Sequence, residues 1–430
     1  MRVPLQGASR RATKIVALVG VAGLASAIAG CGAISATTHA ATASNPPPAT
    51  IQVASVVPTA ASAQPRGSCA NAVTSTLGAL AMRVYDTALK GPLAQRAVAR
   101  VTGSAALGAA VARGDARASR AALLPLLKHQ IRRIEIYRGN RLLVDIGRRV
   151  IPIAPVSGPI RAPAGGVAGR YVLGVTPAAA FAGVTDRLTG GSVVVRSGSR
   201  TIAGTPAHAP AASRAFAFRG RAFPTGPLRV SSRLPPVALR SGCAATRAET
   251  AINTLGAAAQ RLYRAEVSGT GARNALRYAV GDPAFRSAVA SGDSAAITRV
   301  VTAGFFHVRR LHIVRVRVTQ GGRQINATGG PFVLAPASAT MPGPGGRPAT
   351  VSLSVQDDTG YIKLIRRLVG AQAVLRTPSG QVPGSALHPA SGRLPARGIV
   401  AVAGRRWRVS SFNAQQFPSG PLRISILVPA

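Results

Sequence analysis

Acid is what this sequence has least of. Eleven Asp and Glu stand against 53 Lys and Arg in 430 residues, a formal charge of +42. Lysine is also rare, at 14, 90, 128 and 363 only, so nearly all of the positive charge is arginine. Adjacent acids occur once, at Asp357-Asp358, which leaves little room for paired-carboxylate chemistry. The six histidines include a single close pair, His307 and His312, with no Cys or carboxylate in step, a poor spacing for a metal. There is no G-x-S-x-G, no H-E-x-x-H, no Walker loop and no G-x-G-x-x-G after a strand. The chain is therefore expected to be neither an enzyme nor dependent on a cofactor. Aromatics make up 4%, so the cores must be built from Ala, Val, Leu and Ile.

Two accounts fit the charge. One is an electrostatic footprint for a polyanion. The other is arginine spread over every solvated face. The arginines are dispersed and accompany no nucleic-acid motif, so a specific nucleic-acid partner is not expected.

The length suits two domains, and 47% hydrophobic residues allow real cores. Arg2, Arg10, Arg11 and Lys14 precede an apolar stretch from Ile15 to Ile28, which ends in Ile28-Ala29-Gly30-Cys31. A basic start, a short apolar run and small residues describe a secretory signal. Cys after Ile-Ala-Gly resembles a bacterial lipobox, which implies lipidation at Cys31 and a place on the outer face of the cell membrane. The alternative is a single uncleaved N-terminal membrane helix, although the stretch is shorter than the roughly 20 residues that spanning requires. Residues 32–67 are Ala, Thr, Ser and Pro, the composition of a semi-extended tether.

What remains is one unit used twice, over 68–237 and 238–430. Phe223-Pro224-Thr225-Gly226-Pro227-Leu228-Arg229 returns as Phe417-Pro418-Ser419-Gly420-Pro421-Leu422-Arg423, an offset of 194 from 223 to 417. Arg83-Val84-Tyr85 returns as Arg261-Leu262-Tyr263, and Gly114-Asp115 as Gly292-Asp293, both at an offset of 178. Val73, Leu77, Leu80 and Val84 in one unit, and Ile252, Leu255, Ala259 and Leu262 in the other, mark one buried face of a helix. Gly then Asp predicts one helix stopping and the next being N-capped. Beyond these helices the period changes to that of strands. Ile134 and Ile136 alternate with polar residues in the first unit, as do Val314, Val316 and Val318 in the second. A Pro/Gly-rich loop, a strand, a short helix ending in Gly, a hairpin and a closing strand pair follow in each. The fold class expected is α+β, with N-terminal helices and a mostly antiparallel sheet in each unit.

This order of elements resembles the Cache domain, an extracytoplasmic relative of PAS. The second unit carries the resemblance best, in Val351-Ser352-Leu353-Ser354-Val355-Gln356-Asp357-Asp358, Tyr361 and Leu368-Val369-Gly370. Two tandem Cache-like units imply small-molecule sensing or solute capture outside the cell. A ligand is expected in the second unit, whose cavity-facing strands would present Arg315, Arg317, Asp357, Asp358, Tyr361 and Arg376. The first unit has only Thr176-Pro177-Ala178-Ala179-Ala180-Phe181 at that place. In Cache-like sites an acid there often meets a ligand amine; Asp357 or Asp358 is equally an N-cap by position. No output domain follows the second unit, so a signal would pass to a separate membrane partner. The alternative is a structural or adhesive envelope protein that binds anionic polymer. Cys69 and Cys243 open their units at corresponding positions and, with Cys31 lipidated, are the two thiols left to pair in an oxidising compartment. Two free, partly buried thiols are the alternative.

The lipobox gives the first prediction. Mass spectrometry of membrane-extracted protein should find Cys31 as a diacylated N-terminus; peptides from Met1 to Gly30 in the mature form would exclude it.

Overall fold

The computed structural model describes residues 66–430, apart from 128–129, 148–149, 205–213, 241, 309–310, 335, 386 and 390–392. The signal, Cys31 and the tether up to residue 65 lie outside the described residues. Everything described belongs to one compact unit, Ile51–Ala430.

Each half begins with a long helix, α1 (Arg66–Lys90) in the first. Shorter helices follow: α2 (Pro92–Thr102), α3 (Ala105–Arg113) and α4 (Ala116–Leu127). The strands are β1 (Arg133–Arg138), β2 (Arg141–Gly147), β3 (Pro152–Ile153), β4 (Val156–Arg161), β5 (Val167–Gly174) and β6 (Thr176–Pro177). Then come α5 (Ala178–Thr189), the hairpin β7 (Ser192–Ser197) and β8 (Arg200–Ala203), and the closing pair β9 (Arg214–Ala222) and β10 (Gly226–Leu234). A short α6 (Pro236–Arg240) leads to the second half. There α7 (Arg247–Ser268) is the long helix, followed by α8 (Thr270–Gly281), α9 (Pro283–Ser291) and α10 (Ser294–Ala303). β11 (Arg315–Gln320), β12 (Arg323–Gly329), β13 (Pro336–Pro342) and β14 (Pro348–Ser354) precede α11 (Asp358–Leu364), which runs on into a π-helical turn at Ile365–Val369. The chain ends in β15 (Gln372–Thr377), β16 (Gly380–Gln381), β17 (Arg397–Val402), β18 (Arg405–Gln415) and β19 (Pro421–Pro429).

The class is α+β with antiparallel sheets throughout the described ladders. Where the sequence suggests a single sheet per unit, each half has two. The first sheets run β2-β1-β5-β4 and β12-β11-β14-β13, the same order in both halves. The second sheets share the central order hairpin, closing strand, closing strand: β8-β7-β10-β9 with β3 and β6 beyond, and β16-β15-β19-β18 with β17 beyond. The split follows from the helices. α5 and α11 interrupt the chain between β5 and β7 and between β14 and β15, so the hairpin restarts pairing elsewhere.

Each first sheet has its own core. Ile134, Ile136 and Leu173 pack under Leu107, Val111 and Leu123 in the first half. Val316, Val318 and Leu353 pack with Phe285, Ile297 and Val301 in the second. The second sheets have no such privacy. A single core joins the stripe Val73, Leu77, Leu80, Val84 of α1 to Ile252, Ala259 and Leu262 of α7, with Val193, Val195 and Val230 from one sheet and Leu375, Ile424 and Ile426 from the other. Gly256 lets α7 lie close on its sheet, because a Cβ there would stand 2.4 Å from Ser410 Oγ.

Polar groups repeat the partnership. Tyr263 Oη donates to Gln415 O (2.6 Å) and accepts from Gln415 N (2.9 Å). Tyr85 Oη accepts from Arg221 N at 2.7 Å in the corresponding place. Across the halves, Arg261 donates from Nε and Nη2 to Leu188 O at 3.0 and 2.7 Å, which closes the C-terminal end of α5. Burial pulls this guanidinium's pKa down to about 10. Arg83, its counterpart, lies against Gly370 at the end of the turn that continues α11. Asp115 and Asp293 are N-caps, accepting from Ala118 N and Ala296 N at 2.9 Å each. Gly114 and Gly292 end the preceding helices in the left-handed region.

Cys69 and Cys243 are joined as a disulfide, with Cα atoms 5.6 Å apart. Their positions correspond less closely than the sequence suggests: Cys69 lies within the first turn of α1, whereas Cys243 precedes α7. Among the described residues no helix is long and apolar enough to cross a membrane.

The bridge spans 174 residues, for which the loop-entropy model gives about 5 kcal/mol. Cys69→Ser is expected to lower the unfolding free energy in urea by up to that amount, and the denatured, unreduced wild type should show neither of these two thiols to an alkylating reagent. Labelling at both would exclude the bridge.

Candidate functional site

Asp357 caps α11, accepting from Gly360 N at 2.5 Å. Asp358 is turned inward and is 6% exposed. Its Oδ1 accepts from Val333 N and Leu334 N, both at 3.0 Å, and its Oδ2 from Val333 N at 3.1 Å. Arg315 reaches the same segment: Nη1 donates to Phe332 O at 2.6 Å while the guanidinium lies 4.6 Å above the Phe417 ring. Phe417 N donates to Val333 O (2.8 Å) and Ser354 Oγ to Leu334 O (2.6 Å). The peptide groups from Phe332 O to Leu334 O are thus all satisfied by fixed partners. Two of the six residues expected to face a solute, Arg315 and Asp358, thus hold the chain's own backbone.

Burial raises the Asp358 carboxyl to about 6; the two backbone amides and Arg315 oppose that rise, and Asp357 adds to it. Burial likewise lowers the Arg315 pKa. Tyr361 is a core residue, 0% exposed, donating to Ala259 O at 3.0 Å with its ring edge-on to Tyr263. Arg317 is half-buried on β11, opposite Ser352 and Ala327, and its Nε has no hydrogen-bond partner among the described residues. Arg376 stands on β15 of the other sheet, across from Arg423. The structure therefore brings Arg315 and Asp358 to one segment, puts Asp357 at the N-cap of the helix that carries Tyr361, and leaves Arg317 and Arg376 on different sheets.

Polar groups gather instead in a cleft of about 420 Å³ where the start of α7 meets β17 and β18. Its lining includes Glu249, Ile252, Asn253, Arg397, Ile399 and Arg408. Asn253, a lining residue, is only 5% exposed. Glu249 belongs to a capping box: its backbone N donates to Thr246 Oγ1, and its Oε2 accepts from Thr246 N at 3.2 Å, which leaves the second carboxylate oxygen unused. Arg397 and Arg408 form no ion pair among the described residues. Two guanidiniums, a carboxylate oxygen and an amide over an apolar floor suit a small solute that carries a carboxylate and, beside Glu249, an amine.

Sequence reasoning missed this place because the repeats diverge in length at half of it. The offset grows from 180 at Gly190 and Gly370 to 194 at Phe223 and Phe417, and the added residues build the stretch that contains β17. The remaining signal was Asn253, a polar residue inside an otherwise apolar helix stripe. No protein-family model matches the chain, and a search of curated proteins finds no relative.

The Asp358 environment fixes a pH dependence. A carboxyl raised from about 3.9 in the unfolded chain to about 6 in the fold contributes stability that is present at acid pH and lost as pH rises through that window. The unfolding free energy of wild type minus that of Asp358→Asn should fall between pH 4 and pH 6 and be flat above. A difference that rises over that range would contradict the assignment.

Proposed function

We propose that the chain is an exported, lipid-anchored protein of two tandem Cache-like units that captures or senses a small solute, without catalysis of its own. The solute is a small carboxylate, an α-amino acid being the best chemical fit, and its place is the cleft beside β17. The observation that carries this is the lining of the cleft, where the largely buried Asn253 stands with Glu249, Arg397 and Arg408. A ligand that pairs with the Asn253 amide gains a hydrogen bond worth about 0.5–1.5 kcal/mol. Arg397 or Arg408 would take the carboxylate as a fork, and Glu249 the amine. The matching order of the two first sheets supports the tandem-unit part of the proposal, as does the exchange of polar contacts between α1 and α7 and the opposite halves. A bound state would be reported through a separate membrane partner.

Thermal-shift screening of the protein against α-amino acids and small mono- and dicarboxylates tests the cleft. A solute at 100 times its dissociation constant should add about 2.7 kcal/mol of stability. Asn253→Leu and Arg408→Ala should each abolish the shift, while Asp358→Asn should retain it. A shift that survives both cleft substitutions, or none with any member of the panel, would overturn the proposal.

A further inference from the structure

The second sheets of the two halves differ on their outer faces. In the second half that face is covered. Val374, Val402, Trp407, Val409 and Leu427 form a small core with Leu394 from the segment before β17. Among the described residues, the corresponding face of the first half carries no such core. On β10 the positions facing outward are Arg229, Ser231 and Arg233, and on β9 they are Ala215, Ala217 and Arg219, flanking the buried Val230 and Phe216. Arg233 and Ala215 stand where the second half has Leu427 and Val409.

Register turns this face into a row. Arg229 pairs with Arg196 of β7 on one side and with Arg219 of β9 on the other. Three guanidiniums thus lie on three adjacent strands, roughly 5 Å apart from strand to strand. All three are exposed, and none makes a hydrogen bond or an ion pair with a described residue. The equivalent row in the second half is Arg376, Arg423 and Asn413. There Arg423 Nη1 donates to Asn413 Oδ1 at 3.4 Å, so an acceptor stands where the first half has a third cation.

Like charges directly opposite one another on a sheet destabilise it, and nine of the eleven acids are engaged elsewhere. Of its eleven acids, Asp115, Asp186, Glu249, Asp282, Asp293, Asp357 and Asp358 accept backbone amides, while Glu135 and Asp145 are tied to Arg133. On the same face the row is flanked by Val194, Ser231 and Ala217 on one side and by Pro227 and the exposed Arg221 on the other.

We propose that the outer face of β7, β10 and β9 binds a linear phosphate polymer, which crosses the strands so that successive phosphates meet Arg196, Arg229 and Arg219. This surface is separate from the cleft beside β17, and neither depends on the other. The match is one of charge and spacing: a regular polyanion presents one acceptor group per strand, and a guanidinium takes a phosphate oxygen pair as a fork.

The test is fluorescence anisotropy of end-labelled long-chain inorganic polyphosphate with the full chain, titrated from 50 to 300 mM salt. Arg196→Ala/Arg219→Ala/Arg229→Ala should weaken binding about tenfold or more, and should flatten the slope of log affinity against log salt by about two to three. The control triple Arg113→Ala/Arg117→Ala/Arg120→Ala removes the same charge from exposed positions of the first half and should change binding little. Equal loss in both triples would mean attraction by net charge alone and would overturn the proposal. So would a row-dependent binding to phosphatidylglycerol vesicles with none to polyphosphate, which would make the face a lipid contact. Both triples keep the buried core, and matching thermal unfolding of the variants confirms that binding, not folding, is being read.

Discussion

Two long helices that share one core are the constraint on which the structure rests. The apolar stripe of α1 packs on α5 and β9 of its own half and on α7 of the other, and α7 packs on β18 and β19 as well as on α1. Each is buried by the other and by the two second sheets together. The disulfide and the bond from Arg261 to the end of α5 lie along the same seam. The first sheets, with private cores beneath their own short helices, are free of this dependence. The body therefore has a shared centre and two lobes that pack for themselves.

The shortage of acid shapes the rest. A protein with few carboxylates spends them where the backbone needs an acceptor, mostly at helix N-termini, where a negative group also meets the helix dipole favourably. Ion pairing is left to one arginine, Arg133, among the described residues. Where an arginine must be partly buried, it turns to carbonyls and rings instead: Arg261 to Leu188 O, Arg315 to Phe332 O and Phe417.

Local rules were legible in the sequence, and tertiary ones were not. The helix stripes, the Gly-Asp boundaries at 114–115 and 292–293, and the alternation of Val316 and Val318 each follow from residues within a few positions of one another. The division into two sheets does not, because it depends on where the chain goes after α5. Asp357 and Asp358 show the limit most clearly. Position alone identifies one N-cap, and it is Asp357. That Asp358 grips the amides of Val333 and Leu334, 25 and 24 residues earlier, depends on a meeting of two loops that no local pattern encodes. The cleft around Asn253 was hidden for a different reason: comparing the repeats draws the eye to what they share, and β17 belongs to one of them.

The shared centre has a consequence for synthesis. The stripe of α1 is complete at Val84, yet the helix that covers it begins its own stripe at Ile252, 168 residues later as counted from 84 to 252. At ordinary elongation speeds of about 5–20 residues per second, that leaves the part of the helix face that α7 covers waiting for roughly ten to thirty seconds. During that interval the first half is a sticky intermediate with one thiol waiting for the other. The shared centre is therefore completed only once α7 has been made, and the bridge only once Cys243 has.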